Sequence, residues 1–206
     1  MSGLLLSLLA GTVVAANPVT QPPWFSFEDY PMKAFEKKWE GVTRFELLIS
    51  PDGSIASCKI LSSSGHEELD RTTCFLSQKR AKFQPARSTE GQPVWGVYRS
   101  QALWALPEHR LSAPPAPDLE ISVNKIPDGA SQPPAVKLAY AVDAQGNTSA
   151  CTVMPTSLKQ PQALVDVGCK ELLGSENGKP VLSPTGQPVA AVKSGAVLFK
   201  AEPAAN

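Results

Sequence analysis

Two stretches of this chain carry nearly the same letters in the same order. Asp52-Gly53-Ser54-Ile55-Ala56-Ser57-Cys58 is echoed by Gly146-Asn147-Thr148-Ser149-Ala150-Cys151. A second cysteine follows each, Cys74 and Cys169, and then the same four residues, Gly91-Gln92-Pro93-Val94 and Gly186-Gln187-Pro188-Val189. Matched positions are 93 to 95 residues apart, from Gly53 to Gly146 and from Cys74 to Cys169. A chain of 206 residues would accommodate one domain or two small ones. The repeat decides for two. Units this small bury a marginal core, and cross-links would help to hold them.

The N-terminus bears on whether such cross-links form. Leu4 to Ala16 is a 13-residue apolar run ending in the small residues Val14-Ala15-Ala16, with Asn17-Pro18 after it. That is the layout of a secretory signal cleaved after Ala16. As a helix, the run would rise about 20 Å, short of a hydrocarbon core of about 30 Å. No Lys or Arg precedes it, so an uncleaved anchor is the alternative reading. Export permits disulfides. Four cysteines allow three pairings. If each half holds its own pair, Cys58 joins Cys74 and Cys151 joins Cys169. Loops this short would each contribute roughly 3 kcal/mol. Free thiols are the alternative. Zinc is disfavoured by the spacings and by a histidine complement of only His66 and His109.

Charge excludes some classes of partner. The 19 basic and 19 acidic residues cancel. The basic footprint of a nucleic-acid binder and the polybasic patch of a membrane-surface protein are both missing.

The order of elements repeats as well. Pro31 to Trp39 predicts a short helix with Pro at its first turn. Val42 to Ile49 places Thr43, Phe45, Leu47 and Ile49 on one face, and Ser50 to Gly53 predicts a tight turn. Ile55 to Leu61 forms the second arm, with Ala56, Cys58 and Ile60 sharing a face. Ser64 with Glu67 reads as a capping box opening a helix that carries Leu69, Thr73 and Leu76. Val94 to Leu106 is the last strand. In the second half, Val136, Leu138, Tyr140 and Val142 take the first arm, and Ser157 with Gln160 takes the cap. Leu164 to Leu173 is the helix and Val189 to Phe199 the last strand. Expected boundaries are a signal over residues 1–16, an N-terminal segment 17–27, a first domain 28–106, a Pro-rich linker 107–117, a second domain 118–201 and a loose tail 202–206.

With the order of elements laid out, the first half becomes recognisable. Tyr30-Pro31, Ala34, Gly41-Val42, Phe45, Asp52-Gly53, Ser63-Ser64-Gly65, Leu69-Asp70, Phe83, Pro85-Ala86 and Gly91-Gln92-Pro93-Val94 resemble the C-terminal domain of the TonB family. The second half keeps Gly146, the cysteine pair and Gly186-Gln187-Pro188-Val189. It has Gly178-Lys179-Pro180-Val181 where the Phe-x-Pro-Ala element would stand, and looks like a diverged copy. The resemblance implies an α+β fold of two units, each a three-stranded antiparallel sheet with helices on one face. It implies a periplasmic, non-enzymatic module that contacts an envelope protein such as an outer-membrane transporter by accepting a peptide strand at a sheet edge. The edge would be Val94, Trp95, Gly96, Val97, Tyr98, Arg99, Ser100 and Gln101. An ordinary core strand is the other reading of that segment. The cysteines lie outside the family's usual pattern. No long Pro-rich arm separates Ala16 from the first domain, which sets the chain apart from a complete energy transducer. If the N-terminus extends further upstream, an anchored transducer is the alternative.

There is no Gly-x-Ser-x-Gly elbow, Gly-rich phosphate loop or HExxH. The cysteines are not Cys-x-x-Cys. Glu67, Glu68 and Asp70 suit a helix start, where the dipole favours acids. No catalytic residue, cofactor, metal or stable membrane span is expected, and the oligomeric state is open. Trp24, Phe25 and Phe27 would pack on the first sheet or form a partner patch. Trp95 and Trp104 fall on opposite parities of the last strand, which would leave one of them outside the core. Three readings remain: a binding module using an open sheet edge, a structural pseudo-dimer in which the halves consume each other's edges, and an enzyme with its site between the domains. Non-reducing peptide mapping is expected to recover Cys58 linked to Cys74 and Cys151 linked to Cys169, and a link between the halves would break the repeat register.

Overall fold

The computed structural model describes residues 11–19, 24–109, 111–112, 116–128, 130–131, 133–156 and 160–202. Its strands are β1 (Asn17–Pro18), β2 (Gly41–Ile49), β3 (Ile55–Ser62), β4 (Phe83–Gln84), β5 (Ala86–Arg87), β6 (Pro93–Trp104), β7 (Leu119–Val123), β8 (Ala135–Val142), β9 (Thr148–Val153), β10 (Val181–Leu182), β11 (Pro188–Val189) and β12 (Ala191–Ala201). The α-helices are α1 (Met32–Glu36), α2 (Glu67–Arg80) and α3 (Gln162–Glu176). The fold is α+β with several sheets. The main sheet runs β3-β2-β6-β12-β8-β9, with β5 added on β6 and β7 on β12. Two short ladders, β1 with β4 and β10 with β11, lie beside it.

The β2–β3 hairpin forms because its turn is doubly specified. Gly53 sits at φ 86°, a conformation open to glycine at little cost. The Asp52 carboxylate accepts the Ser54 N–H at 2.9 Å. Gly146, at φ 88°, and Asp143, which accepts the Gln145 and Asn147 N–H groups, build the turn between β8 and β9 in the same way. On β2 the alternation is clean. Thr43, Phe45, Leu47 and Ile49 are fully buried under α2, which contributes Leu69, Thr73 and Leu76. Trp104 closes this core and donates its indole N–H to the Thr73 hydroxyl at 2.9 Å. On the other side, α3 covers β8 and β12 through Leu164, Val165 and Leu172 against Val136, Leu138, Val197 and Phe199.

Three local expectations need correction. Ala56 does not share a face with Cys58 and Ile60. A register shift between Leu48 and Ile49 inserts Ala56 as an extra residue in β3 and reverses the alternation. Ala56 therefore packs with Leu48 and Val97, while Ile55, Cys58 and Ile60 face α2. The capping box is also absent. His66 is the residue before the helix and makes no side-chain cap. The Ser64 N–H is drawn instead to the Asp70 carboxylate at 2.9 Å, where the Thr43 and Ser63 hydroxyls also donate. In the second half, Pro161 precedes α3, and Gln160 bonds the Lys137 N–H and the Met154 carbonyl. Ser157 lies outside the described residues.

Between the halves, β6 and β12 run parallel, pairing Trp95, Gly96 and Val97 with Ala191, Val192 and Lys193. The two three-stranded groups are thus one sheet, not two. Gly96 faces α2 beside Ile49, and its neighbour Val192 faces away from α3 beside Ala141. Helices α2 and α3 consequently sit on opposite faces of the sheet. Each half's helix-free face is covered at the junction by residues of the other: Val192 and Ala139 join the α2 core, and Val97 and Leu48 meet Val181 and Ala191. Trp104 is buried under α2, and Trp95, of opposite parity, lies half-buried on the other face against the cluster of Leu48, Val97, Val181 and Ala191. Residues 107–117 form no regular element among those described, but β7 directly after them pairs parallel with the end of β12.

Phe45→Ala is expected to cost about 3–5 kcal/mol in chemical denaturation, because the buried site cannot collapse around the missing ring. Phe75, outward on α2 and 59% exposed, sets the control: Phe75→Ala should stay within about 0.5 kcal/mol.

Candidate functional site

The segment Val94 to Gln101 is a strand because Val94, Trp95, Val97 and Tyr98 suit a pleated, half-buried surface. It begins after a turn closed by the Gly91 N–H on the Ser88 carbonyl, with Gly91 at φ 76°. One side of β6 pairs with β2 from Gly96 to Trp104. Val94 pairs with Ala86 of β5, and the other side of Trp95, Gly96 and Val97 pairs with β12. Val94 to Val97 therefore do not offer an open edge. Past Val97 the two long strands separate, and Tyr98, Arg99 and Ser100 line a cleft of about 450 Å³ between the halves. Gln101 lies opposite Arg44 of β2 on the cleft wall.

The cleft is bridged by a charged seam. Arg99 donates to Glu46 at 2.8 Å and to Asp118. Asp118 is in turn fixed to β12: its carboxylate accepts the Ala196 N–H at 2.7 Å, and its own N–H donates to the Ala196 carbonyl. Burial works against the Arg99 charge, but Asp118 and Glu46 outweigh it and hold its pKa above the ordinary arginine value. Arg44 and Lys137 also line the cleft, beside the ion-paired Arg99 and Asp118.

A second charged group locks α3 to the sheet. Lys193, nearly buried on β12, bonds Glu176 at the end of α3, and Lys179 and Tyr140 add contacts at 3.2 and 3.1 Å. Burial raises the Glu176 pKa, but the bonds to Lys193 and Lys179 dominate and bring it down to about 2. Burial first, and then the Glu176 charge, push the Tyr140 hydroxyl well above the usual tyrosine range. Asp70 follows the same logic. Burial would raise it, and the bonds from Ser63, Ser64 and Thr43 bring it below the ordinary carboxylate value.

Cys58 is bonded to Cys74 and Cys151 to Cys169, with Cα–Cα distances of 5.6 and 5.8 Å. Each bridge clips a helix to the second arm of its hairpin. The histidines are far apart in role. His66 stacks on Trp39 at 4.7 Å between centroids, and His109 contacts Glu40 at 2.6 Å, which raises its pKa. Among the described residues, no three His, Cys, Asp or Glu side chains come together as a metal site. No described helix is long and apolar enough to cross a membrane. Trp24 is buried in the first core, Phe25 packs against it, and Phe27 is half exposed. β7, Asp118 and the Lys193–Glu176 pair are not among the features expected from the sequence. An isolated Lys inside the apolar run Ala190 to Phe199 was the available sign, since a buried lysine needs a partner.

Residues 28–101, 74 of the 206, match the family model described as Gram-negative bacterial TonB protein C-terminal. Over these residues the chain is similar in sequence to that family. The solution NMR structure of Pseudomonas aeruginosa TonB CTD is similar at 22% identity, over 46% of this chain and 90% of that one, with a TM-score of 0.36. No curated protein matches the chain.

The depressed Glu176 pKa has a pH consequence. A carboxylate held below its unfolded value contributes stability that is complete above that value and lost as pH falls through the folded one. The thermal midpoint is expected to drop between pH 4.5 and about 2. Glu176→Gln should lower the midpoint at neutral pH and flatten this part of the profile, as read by circular dichroism.

Proposed function

We propose that this chain is a periplasmic, non-enzymatic protein-binding module of TonB-like type, built from two such units of which the second is diverged. Its partner is an envelope protein, of the outer-membrane transporter class, engaged through the part of the β6 edge at Tyr98 to Ser100. The observation that carries the reading is the family match over residues 28–101, which ends within the strand that lines the inter-unit cleft. The two disulfides fit an oxidising compartment. The edge narrows the expected mode. With Trp95 to Val97 occupied by β12, an incoming strand would have only the short stretch beyond them, and Arg44 and Lys137 on the cleft wall favour one with acidic neighbours.

A second reading has its own support. The sheet is continuous across the halves, as in a covalent pseudo-dimer whose edges are already used. On this view the chain is a structural element of the envelope and the cleft is only a seam.

The two readings part in a crosslinking experiment. A photoreactive residue at Ser100, in the protein expressed in a Gram-negative periplasm, is expected to capture an outer-membrane transporter. The same residue at exposed Phe75 is not. Capture from neither position, or equally from both, would remove the edge reading and leave the pseudo-dimer.

A further inference from the structure

Residues 11–19 lie along the first unit instead of running away from it. Val14 and Arg87 exchange both backbone hydrogen bonds, at 3.0 and 2.9 Å. β1 continues the pairing with β4, and the Val19 N–H donates to the Lys82 carbonyl at 2.7 Å. The side chains sort as those of a strand over a core. Val13, Ala15, Ala16 and Pro18 are buried, while Val14, Asn17 and Val19 face out. Val13, Ala15 and Ala16 belong to the apolar cluster of Trp24, Phe83 and Ala86, which also reaches Ala139 and Val192 of the second half.

The fit is close. A Cβ placed on Gly96 would lie 2.6 Å from the Ala16 Cβ and 3.2 Å from that of Ala86. The groove therefore takes a small residue over Gly96 and nothing larger. Its backbone requirement is equally defined, because the Arg87 N–H and C=O need partners from an extended strand. The same residues, Val14-Ala15-Ala16, form the small-residue cleavage pattern at the end of the apolar run. Removal of the chain up to Ala16 would strip Val13 to Ala16 from the groove and leave an apolar slot with unpaired backbone groups. That combination is what a β-augmenting peptide needs.

We propose that the groove along β4 and β5 is a strand-accepting site, filled by the chain's own Val13 to Pro18, and that in a chain cleaved after Ala16 it takes an extended apolar peptide with small residues where Ala15 and Ala16 lie. This site is separate from the β6 edge and does not depend on it.

Amide hydrogen exchange on the full-length chain reads the intramolecular occupant. The Val14, Val19 and Arg87 amides are expected to exchange on the order of 100-fold slower than in a free peptide. Ala16→Leu, which changes only the strand, should return Val14 to the free rate while Leu47 stays protected. Free-chain exchange at Val14 in the unaltered protein would overturn the occupant. The acceptor is read on the chain beginning at Asn17, titrated with a synthetic Gly11–Ala16 peptide while Trp24 fluorescence is followed. Saturable binding is expected, at least about tenfold weaker for the peptide with Leu in place of Ala16, and absent with the full-length chain. If the shortened chain unfolds, the peptide should restore it. No binding, indifference to the Leu peptide, or unfolding that the peptide does not reverse would overturn the acceptor. Dimerisation of the shortened chain without peptide would assign the slot to a second copy and overturn the peptide assignment.

Discussion

Trp95, Gly96 and Val97 pair in parallel with Ala191, Val192 and Lys193, and much of the molecule follows from that short ladder. Without it, each three-stranded half would expose one sheet face and one edge, and burial would cover only the side under its own helix. Small domains of this kind sit near the limit of independent stability. With the ladder in place, Val192 and Ala139 complete the core under α2, and Leu48 and Val97 are covered by Val181 and Ala191. The ladder also sets where the cleft begins, since β6 and β12 diverge directly after it. The Arg99–Asp118 ion pair spans the divergence and couples it to β12 through Ala196.

The disulfides reinforce each half from within. Each joins a helix to the outer arm of a hairpin, at the point in the sheet furthest from the ladder. Covalent clips thus act at the periphery and backbone pairing at the centre. The buried polar groups are distributed in keeping with this. Asp70 ties the loop before α2 to β2 through Thr43, and Glu176 ties the end of α3 to β12 through Lys193. Each replaces a lost hydration shell with several directed bonds, which is the condition for burying a charge without loss of stability.

The hairpins, the stripe on α2 and the position of the last strands were legible because they rest on local rules: period two, period 3.6 and turn glycines. What escaped the sequence was decided by partners distant in the chain. Ala56 alternates on paper, but the bulge that reverses it is a matter of pairing with β2. Ser64 has the spacing of a cap, yet Asp70 competes for the same loop and holds its N–H. Val94 to Gln101 is legible as a strand, but how much of its edge is free is not, because that depends on where β12 ends: Trp95 to Val97 are paired and Tyr98 to Ser100 line the cleft. Leu119 to Val123 carries alternating apolar residues, but nothing local distinguishes it from a linker until β12 supplies the neighbouring ladder.

The opposite placement of α2 and α3 has a consequence for assembly. Parallel strands whose faces are inverted are related by a half-turn about an axis along the strands. A last strand meeting another last strand through such an operation is self-complementary, so the arrangement closes at two members and offers no place for a third. The units of this chain satisfy one another's most adhesive surface within a single polypeptide, at no translational cost. Growth at the ends of the main sheet would start from β3 or β9, the outer strands. Both face their neighbour across an irregular register, a feature that sheets use to discourage a further strand from adding in line. Pairing of β6 with β12 inside one chain works as a stop to polymerisation.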